Sequence, residues 1–185
     1  MTNENQETAL LVMDVQVGVV DRLADKDEYL SRVTKAVAEA HRRGLSVFYV
    51  VVGFRPGLPE VSPNNKRFSE LRKSAPAMLT EPRPALPLAD TDVLVVKRRV
   101  SAFSGSDLEV LLRAARIEHL VLCGIATSGV VLSTLREAAD KDYRLTVLSD
   151  ACADPDAEVH ALLLGKLFPR QADVMTVGEW LASSS

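Results

Sequence analysis

The chain carries a series of short, largely apolar runs, the first without a polar residue, and between them apolar residues recur at helical spacing. Ala9-Leu10-Leu11-Val12-Met13 is the first run, and residues 47–52, 93–96, 120–123, 145–148 and 174–177 read as its successors. A run that is apolar at every position marks a strand covered on both faces, whereas a half-exposed strand alternates. Between the first two runs, Leu30, Val33, Val37 and Ala40 fall on one helical stripe that Gly44 closes. Helices are likewise predicted over 107–116, with Ser106 as N-cap, from the turn after Gly124 through Leu135, Ala138 and Ala139, over 156–168 ahead of Pro169, and over 179–185. This alternation predicts an α/β fold: a three-layer α/β/α arrangement around a roughly six-stranded, mostly parallel sheet with right-handed crossovers.

A length of 185 residues suits one domain with a substantial core, so a single domain over 1–185 is expected, with 1–7 a polar tail. The formal net charge of −3 argues against capture of nucleic acid or anionic lipid. No apolar run reaches membrane-spanning length and residues 1–7 lack a signal-peptide core, which points to a cytoplasmic protein. Neither a Gly-x-Gly-x-x-Gly nor a P-loop pattern is present, so a nucleotide-binding domain loses support. Residues 53–91 are the least regular stretch. With seven of the nine prolines and one short helix near 67–72, they read as a lid or a subunit contact.

Polar groups then stand out by where they leave the sheet. In an open α/β sheet, ligands bind beyond the carboxyl ends of the strands. Asp14 follows the first apolar run, Lys97 follows the third, and the turn Gly124-Ile125-Ala126-Thr127-Ser128-Gly129-Val130 follows the fourth. A carboxylate and an ammonium on one rim fix each other's ionisation, and a helix N-terminus beside them offers N–H donors to an anion. Thr127 and Ser128 are read as caps of that helix, since no His is placed to activate either as a nucleophile. Cys123 and Cys152 fall in or beside buried strands and are read as reduced core thiols. His41, His119 and His160 show no ligand spacing, so no metal is expected.

These motifs resemble those of the isochorismatase-like (cysteine hydrolase) superfamily. The resemblance rests on Leu11-Val12-Met13-Asp14-Val15-Gln16, on Lys97-Arg98-Arg99-Val100-Ser101-Ala102-Phe103 with Gly105-Ser106-Asp107-Leu108, and on Gly124-Ile125-Ala126-Thr127 with Thr134, Ala138, Tyr143 and Asp150-Ala151. It spans nearly the whole chain. The resemblance implies that Asp14 is the general acid or base and Lys97 its charge-stabilising partner. It further implies a non-proline cis peptide between Ile125 and Ala126, with the Ala126 and Val130 N–H groups forming an oxyanion hole. Gln16, Phe54, Arg55, Phe103 and Thr127 are taken as substrate-binding candidates, Arg55 equally as a lid or interface residue. A homodimer or homotetramer without cofactor is implied, acting on a small molecule.

One departure from the pattern reshapes the expected chemistry. The family's nucleophilic Cys stands six residues after the strand-ending Gly, and that position here is Val130. A valine cannot attack a carbonyl, so the thioester route is closed. Two readings follow. In the first, the protein is a thiol-independent hydrolase of a small metabolite, with Asp14 as acid or base. In the alternative it is an inactive member that binds a small carbonyl or carboxylate ligand, or serves as an oligomeric interaction module.

Overall fold

A computed structural model of the chain describes residues 7–74 and 76–183. Its six strands are β1 (Thr8–Met13), β2 (Ser46–Val52), β3 (Val93–Lys97), β4 (His119–Ile125), β5 (Arg144–Ala153) and β6 (Asp173–Met175). They form one sheet in the order β3-β2-β1-β4-β5-β6, and every pairing is parallel. The expected sheet is therefore present, and it is wholly rather than mostly parallel.

The sheet is covered as the apolar runs require. Ala9, Leu11 and Met13 face one cluster, built with Leu108 and Leu112 of α4 (Leu108–Ala114) and Leu135 and Ala138 of α5 (Leu132–Ala139). Leu10 and Val12 face the other, built with Tyr29, Val33 and Ala36 of α1 (Lys26–Arg42) and Trp180 of α7 (Val177–Ala182). Each such leucine withdrawn from water contributes about 1.5–3 kcal/mol before entropy is counted. Central β1 thus carries apolar side chains on both faces because both faces are interior.

Several boundaries differ from expectation. β5 runs to Ala153 instead of ending at 148, because a register shift between Leu122 and Gly124 lets it resume pairing with β4 at Cys152. The helix expected over 156–168 is α6 (Ala157–Leu162) followed by π and 3-10 turns to Arg170. Between 53 and 91 there are two helices, α2 (Lys66–Ser74) and α3 (Pro76–Thr80). That segment also has its own apolar nucleus of Val52, Phe54, Leu58, Val61, Phe68 and Leu79. Its return limb bonds to the chain leaving β1, through Val17 N to Arg83 O and Ala85 N to Val15 O. Most of the expected polar tail, residues 1–6, lies outside the described residues, as do Ser184 and Ser185 of the expected tail helix.

Candidate active site

The strand order locates a crevice. The chain builds outward from β1 to β2 and β3, then crosses to β4 on the other side of β1, so the switch point lies between the carboxyl ends of β1 and β4. Met13 pairs with Gly124 there, which sets Asp14 beside the turn that leaves β4. A Cβ on Gly124 would stand 2.2 Å from the Met13 carbonyl oxygen, and its φ of +151° is one that side-chain-bearing residues rarely adopt. The Ile125–Ala126 peptide is cis. Asp14 itself has a φ of +54°, a left-handed kink that Asp tolerates better than most residues.

Lys97 arrives from two strands away. It is the last residue of β3, paired with Val52 of β2, and its side chain crosses the end of β2 to reach Asp14. Its Nζ lies 2.9 Å from Asp14 Oδ2 and donates to the carbonyls of Arg99 (3.0 Å) and Val100 (3.1 Å). Three acceptors meet three N–H bonds, which is how an ammonium only 1% exposed is tolerated. The loop that supplies those carbonyls is pinned to α5. Thr134 Oγ1 accepts from Ala102 N, and Ser101 Oγ donates to Glu137.

Asp14 is 9% exposed, and its second oxygen, Oδ1, is buried without a hydrogen-bond partner. Burial pushes its carboxyl above the usual range, and the opposing pull of the Lys97 ammonium does not cancel that. The result is an acid held in place by one oxygen, with the other left bare. Such a group is suited to proton transfer.

The turn after β4 is organised differently from the sequence reading. Thr127–Val131 form a π turn ahead of α5, and neither Thr127 nor Ser128 caps it with a side chain. Asp154, from the chain leaving β5, takes that place: its Oδ2 accepts from Ser128 N at 2.7 Å. Thr127 Oγ1 instead meets His160 Nδ1 at 2.8 Å. The expectation that no His stands near this hydroxyl is therefore corrected, because α6 folds back over the turn. Thr127 is fully buried, so its hydroxyl is a brace for the turn. The Ala126 carbonyl accepts from Gly129 N and Val131 N, and the intervening Val130 N–H makes neither bond. The Val130 side chain is 2% exposed and packs in the cluster that includes Ala102 and Phe103.

The remaining candidates scatter. Gln16 is buried, and its amide is taken up at both ends by the Val52 backbone, accepting from its N–H (2.9 Å) and donating to its carbonyl (3.3 Å). Gln16 thereby fastens the exit of β1 to the end of β2. Phe54 packs edge-on against Phe68 at 5.3 Å inside the 53–91 segment's own nucleus. Arg55 is exposed and paired with Glu60. Phe103 is buried and stacks on Tyr143, 6.2 Å away, with Lys141 over its ring. These contacts place Phe54 and Phe103 in apolar packing, where their large side chains are withdrawn from water.

Both thiols are interior. Cys123 Sγ donates to Leu11 O, and burial pushes its thiol well up. The Cys152 thiol is pushed up to about 12, again by burial. The histidines are dispersed onto separate partners, His41 on Asp92, His119 on Thr146 and His160 on Thr127. Among the described residues, no three His, Cys, Asp or Glu side chains gather as metal ligands would. Sequence reasoning missed His160 and Asp154 as members of this region. The only local signal was the density of acids in Asp154-Pro155-Asp156, which read as a helix start.

Comparison with known proteins agrees with this geometry. Residues 8–179 match the family model for the isochorismatase domain. The chain belongs to the isochorismatase family. It is 34% identical over 177 residues to an uncharacterized isochorismatase family protein, YecD, of Escherichia coli O157:H7, with 94% of each chain covered. It is 32% identical over 171 residues to the ureidoacrylate amidohydrolase RutB of Stutzerimonas stutzeri, covering 78% of this chain and 69% of that one. Among solved structures, an isochorismatase family protein from Burkholderia thailandensis superposes with a TM-score of 0.83 at 26% identity, covering 96% of this chain and 95% of that one.

Proposed function

We propose that this member of the isochorismatase family hydrolyses a small metabolite without a thiol, with Asp14 as general acid and Lys97 holding it in position. The observation that carries the reading is the Asp14 carboxyl: buried, raised in pKa, bound to Lys97 through one oxygen and bare at the other. Neither cysteine competes for the role, since both thiols are buried and held protonated. Val130, at the position the resemblance assigns to the nucleophile, offers only a hydrocarbon surface.

The chemistry this arrangement serves is hydration of an enol ether. Asp14 delivers its proton to the terminal carbon of the C=C bond, leaving an oxocarbenium ion. Water adds to that cation and returns a proton to the Asp14 carboxylate. The hemiketal so formed then splits into a ketone and an alcohol, and no bond to the protein is made. Lys97 limits how far the carboxyl rises, so the acid is regenerated rather than locked.

The test is turnover of enol ethers of pyruvate, isochorismate among them, followed by pyruvate release. Wild-type protein is expected to turn over at least one, and Asp14→Asn to lose about 100-fold or more of that rate. Amide cleavage with ammonia release that survives in Asp14→Asn would overturn the proposal. The packing of Val130 in the core supports a second reading, ligand binding without turnover. Val130→Cys separates the two: amidase activity gained by that variant alone, with no enol ether cleaved by the wild type, would favour the inactive-member reading.

A further inference from the structure

The proton that Asp14 would give up has no way out of the site as it stands. Its bare oxygen, Oδ1, is sealed from solvent, and its partner Lys97 is buried. A substrate can meet that oxygen only after part of the protein moves aside. The strands beneath the pair are sandwiched between two apolar clusters, so displacing β1 or β4 would uncover the core. The part that moves has to lie outside those clusters.

Residues 54–81 meet that condition. Phe54, Leu58, Val61, Phe68 and Leu79 pack on one another and on Val52, in a cluster separate from the two that cover the sheet. The base of this flap is narrow: Phe54 N donates to Leu79 O at 2.7 Å, and a Cβ on Gly53 would stand 2.6 Å from Pro82. Just past that base the chain is fastened again, through Val17 N to Arg83 O and Ala85 N to Val15 O. A unit with its own nucleus and a closed base can swing as one body without opening either sheet core. The flap also lies across the chain that leaves Asp14. Met78 rests on Gly18, where an added Cβ would come within 3.1 Å of its Cγ and Sδ.

Glu60 holds the flap down away from its base. Arg99 Nη2 donates to Glu60 O at 3.1 Å, and Arg98 Nε lies 3.5 Å from Glu60 Oε1. These arginines open the loop whose Arg99 and Val100 carbonyls accept from the Lys97 ammonium. One short stretch of backbone therefore serves both the flap and the Asp14–Lys97 pair. Ties of this kind, partly open to water, cost little to break.

We infer that residues 54–81 are a lid that opens about the Gly53–Pro82 base to admit substrate to Asp14, with Glu60, Arg98 and Arg99 as its catch. The inference rests on the reading of Asp14 as the reacting acid, and it adds how that acid is reached. Because the catch leads directly into the carbonyls that hold Lys97, closing the lid and setting the ammonium against the carboxylate are coupled.

The test needs no substrate. A water-soluble carbodiimide with glycine ethyl ester would be used to label carboxyl groups, and modification of Asp14 followed by peptide mass spectrometry. Amide hydrogen exchange of β1 in the same protein gives the rate that global unfolding alone would allow. Asp14 in the wild type is expected to be labelled at least about 100-fold faster than that limit, through sub-global opening. Arg99→Gln and, separately, Arg98→Gln should speed the labelling about threefold or more and leave β1 exchange unchanged. The control Arg113→Gln, on the exposed face of α4, should change neither. Labelling of Asp14 no faster than β1 unfolds would overturn the inference, as would labelling that is fast in the wild type but indifferent to both catch variants. Catch-dependent labelling without turnover of any enol ether would leave the lid standing and remove the hydrolase proposal.

Discussion

Asp14 and Glu39 are both buried carboxylates in contact with cations, at opposite ends of the sheet, and they titrate in opposite directions. Glu39 lies in the last turn of α1, near the amino ends of the strands. Its two oxygens accept from Arg42 Nε and Nη2 and from Arg43 Nε, all at 2.6–2.7 Å, and these bonds hold its carboxyl down to about 2. Arg43 also lies over the Trp180 ring and donates to Trp180 O, so the cluster is a clamp between α1 and α7. Asp14 has one ammonium and one bare oxygen, and burial outweighs that partner. Both carboxylates are paired; the number of donors satisfied decides whether each becomes a fastener or a group ready to move a proton.

The comparison is most strained by removing Lys97. Lys97→Met leaves Asp14 buried without its counter-charge and should lower stability by about 3–5 kcal/mol, read by urea unfolding. A loss below about 1 kcal/mol would mean that the site's pair is no more costly to break than a surface one. Gly124→Ala tests the backbone beneath the pair. The new methyl would meet the Met13 carbonyl at 2.2 Å, so a loss of about 3 kcal/mol is expected, together with loss of ligand binding.

The sharpest discrimination comes from pH. The folded chain holds the Asp14 proton more tightly than the unfolded chain does, so this group's contribution is present below its ordinary pKa of 3.8 and is lost as pH rises through the raised value. Glu39 behaves the other way. Its contribution is present above 4.5 and is lost as pH falls toward 2. The stability difference between wild type and Asp14→Asn should therefore shrink with rising pH. The difference between wild type and Glu39→Gln should shrink with falling pH, by about 1 kcal/mol once solvent screening of its arginines is allowed for. Parallel slopes in denaturation curves collected from pH 2 to 7 would erase the contrast. The smallest effect belongs to Arg42→Ala, which should leave the urea midpoint almost unmoved, since that guanidinium is largely exposed and Arg43 remains in place.

How much of this was legible in the sequence follows from how local each signal is. β1 and β4 announce themselves because interior strands need apolar side chains on both faces, and Ala9 to Met13 supply them without a break. Asp14 and Lys97 were visible as polar residues at strand ends, and the structure brings them to 2.9 Å. Their pairing was expected from the shared rim and from the resemblance, but the route of the Lys97 side chain across the end of β2 was not visible, because it depends on strand order. The same holds for His160 and Asp154, which reach the 124–130 turn from a segment some thirty residues away. Gln16 shows the converse: a polar residue beside a candidate acid reads as a ligand contact, and its clasp on the Val52 backbone, a contact with the neighbouring strand, left no local trace.

The strand order has a consequence for how the site is assembled. The strands on one side of the β1–β4 boundary all come from residues 8–97, and those on the other from residues 119–175. The acid and its ammonium are thus a property of the leading half of the polypeptide, and the amide-bearing turn of the trailing half. Severed within the connector between them, the chain would yield two fragments, each holding an incomplete set of reacting groups. Recovery of ligand binding on mixing them would report directly on whether the two half-sheets had found each other.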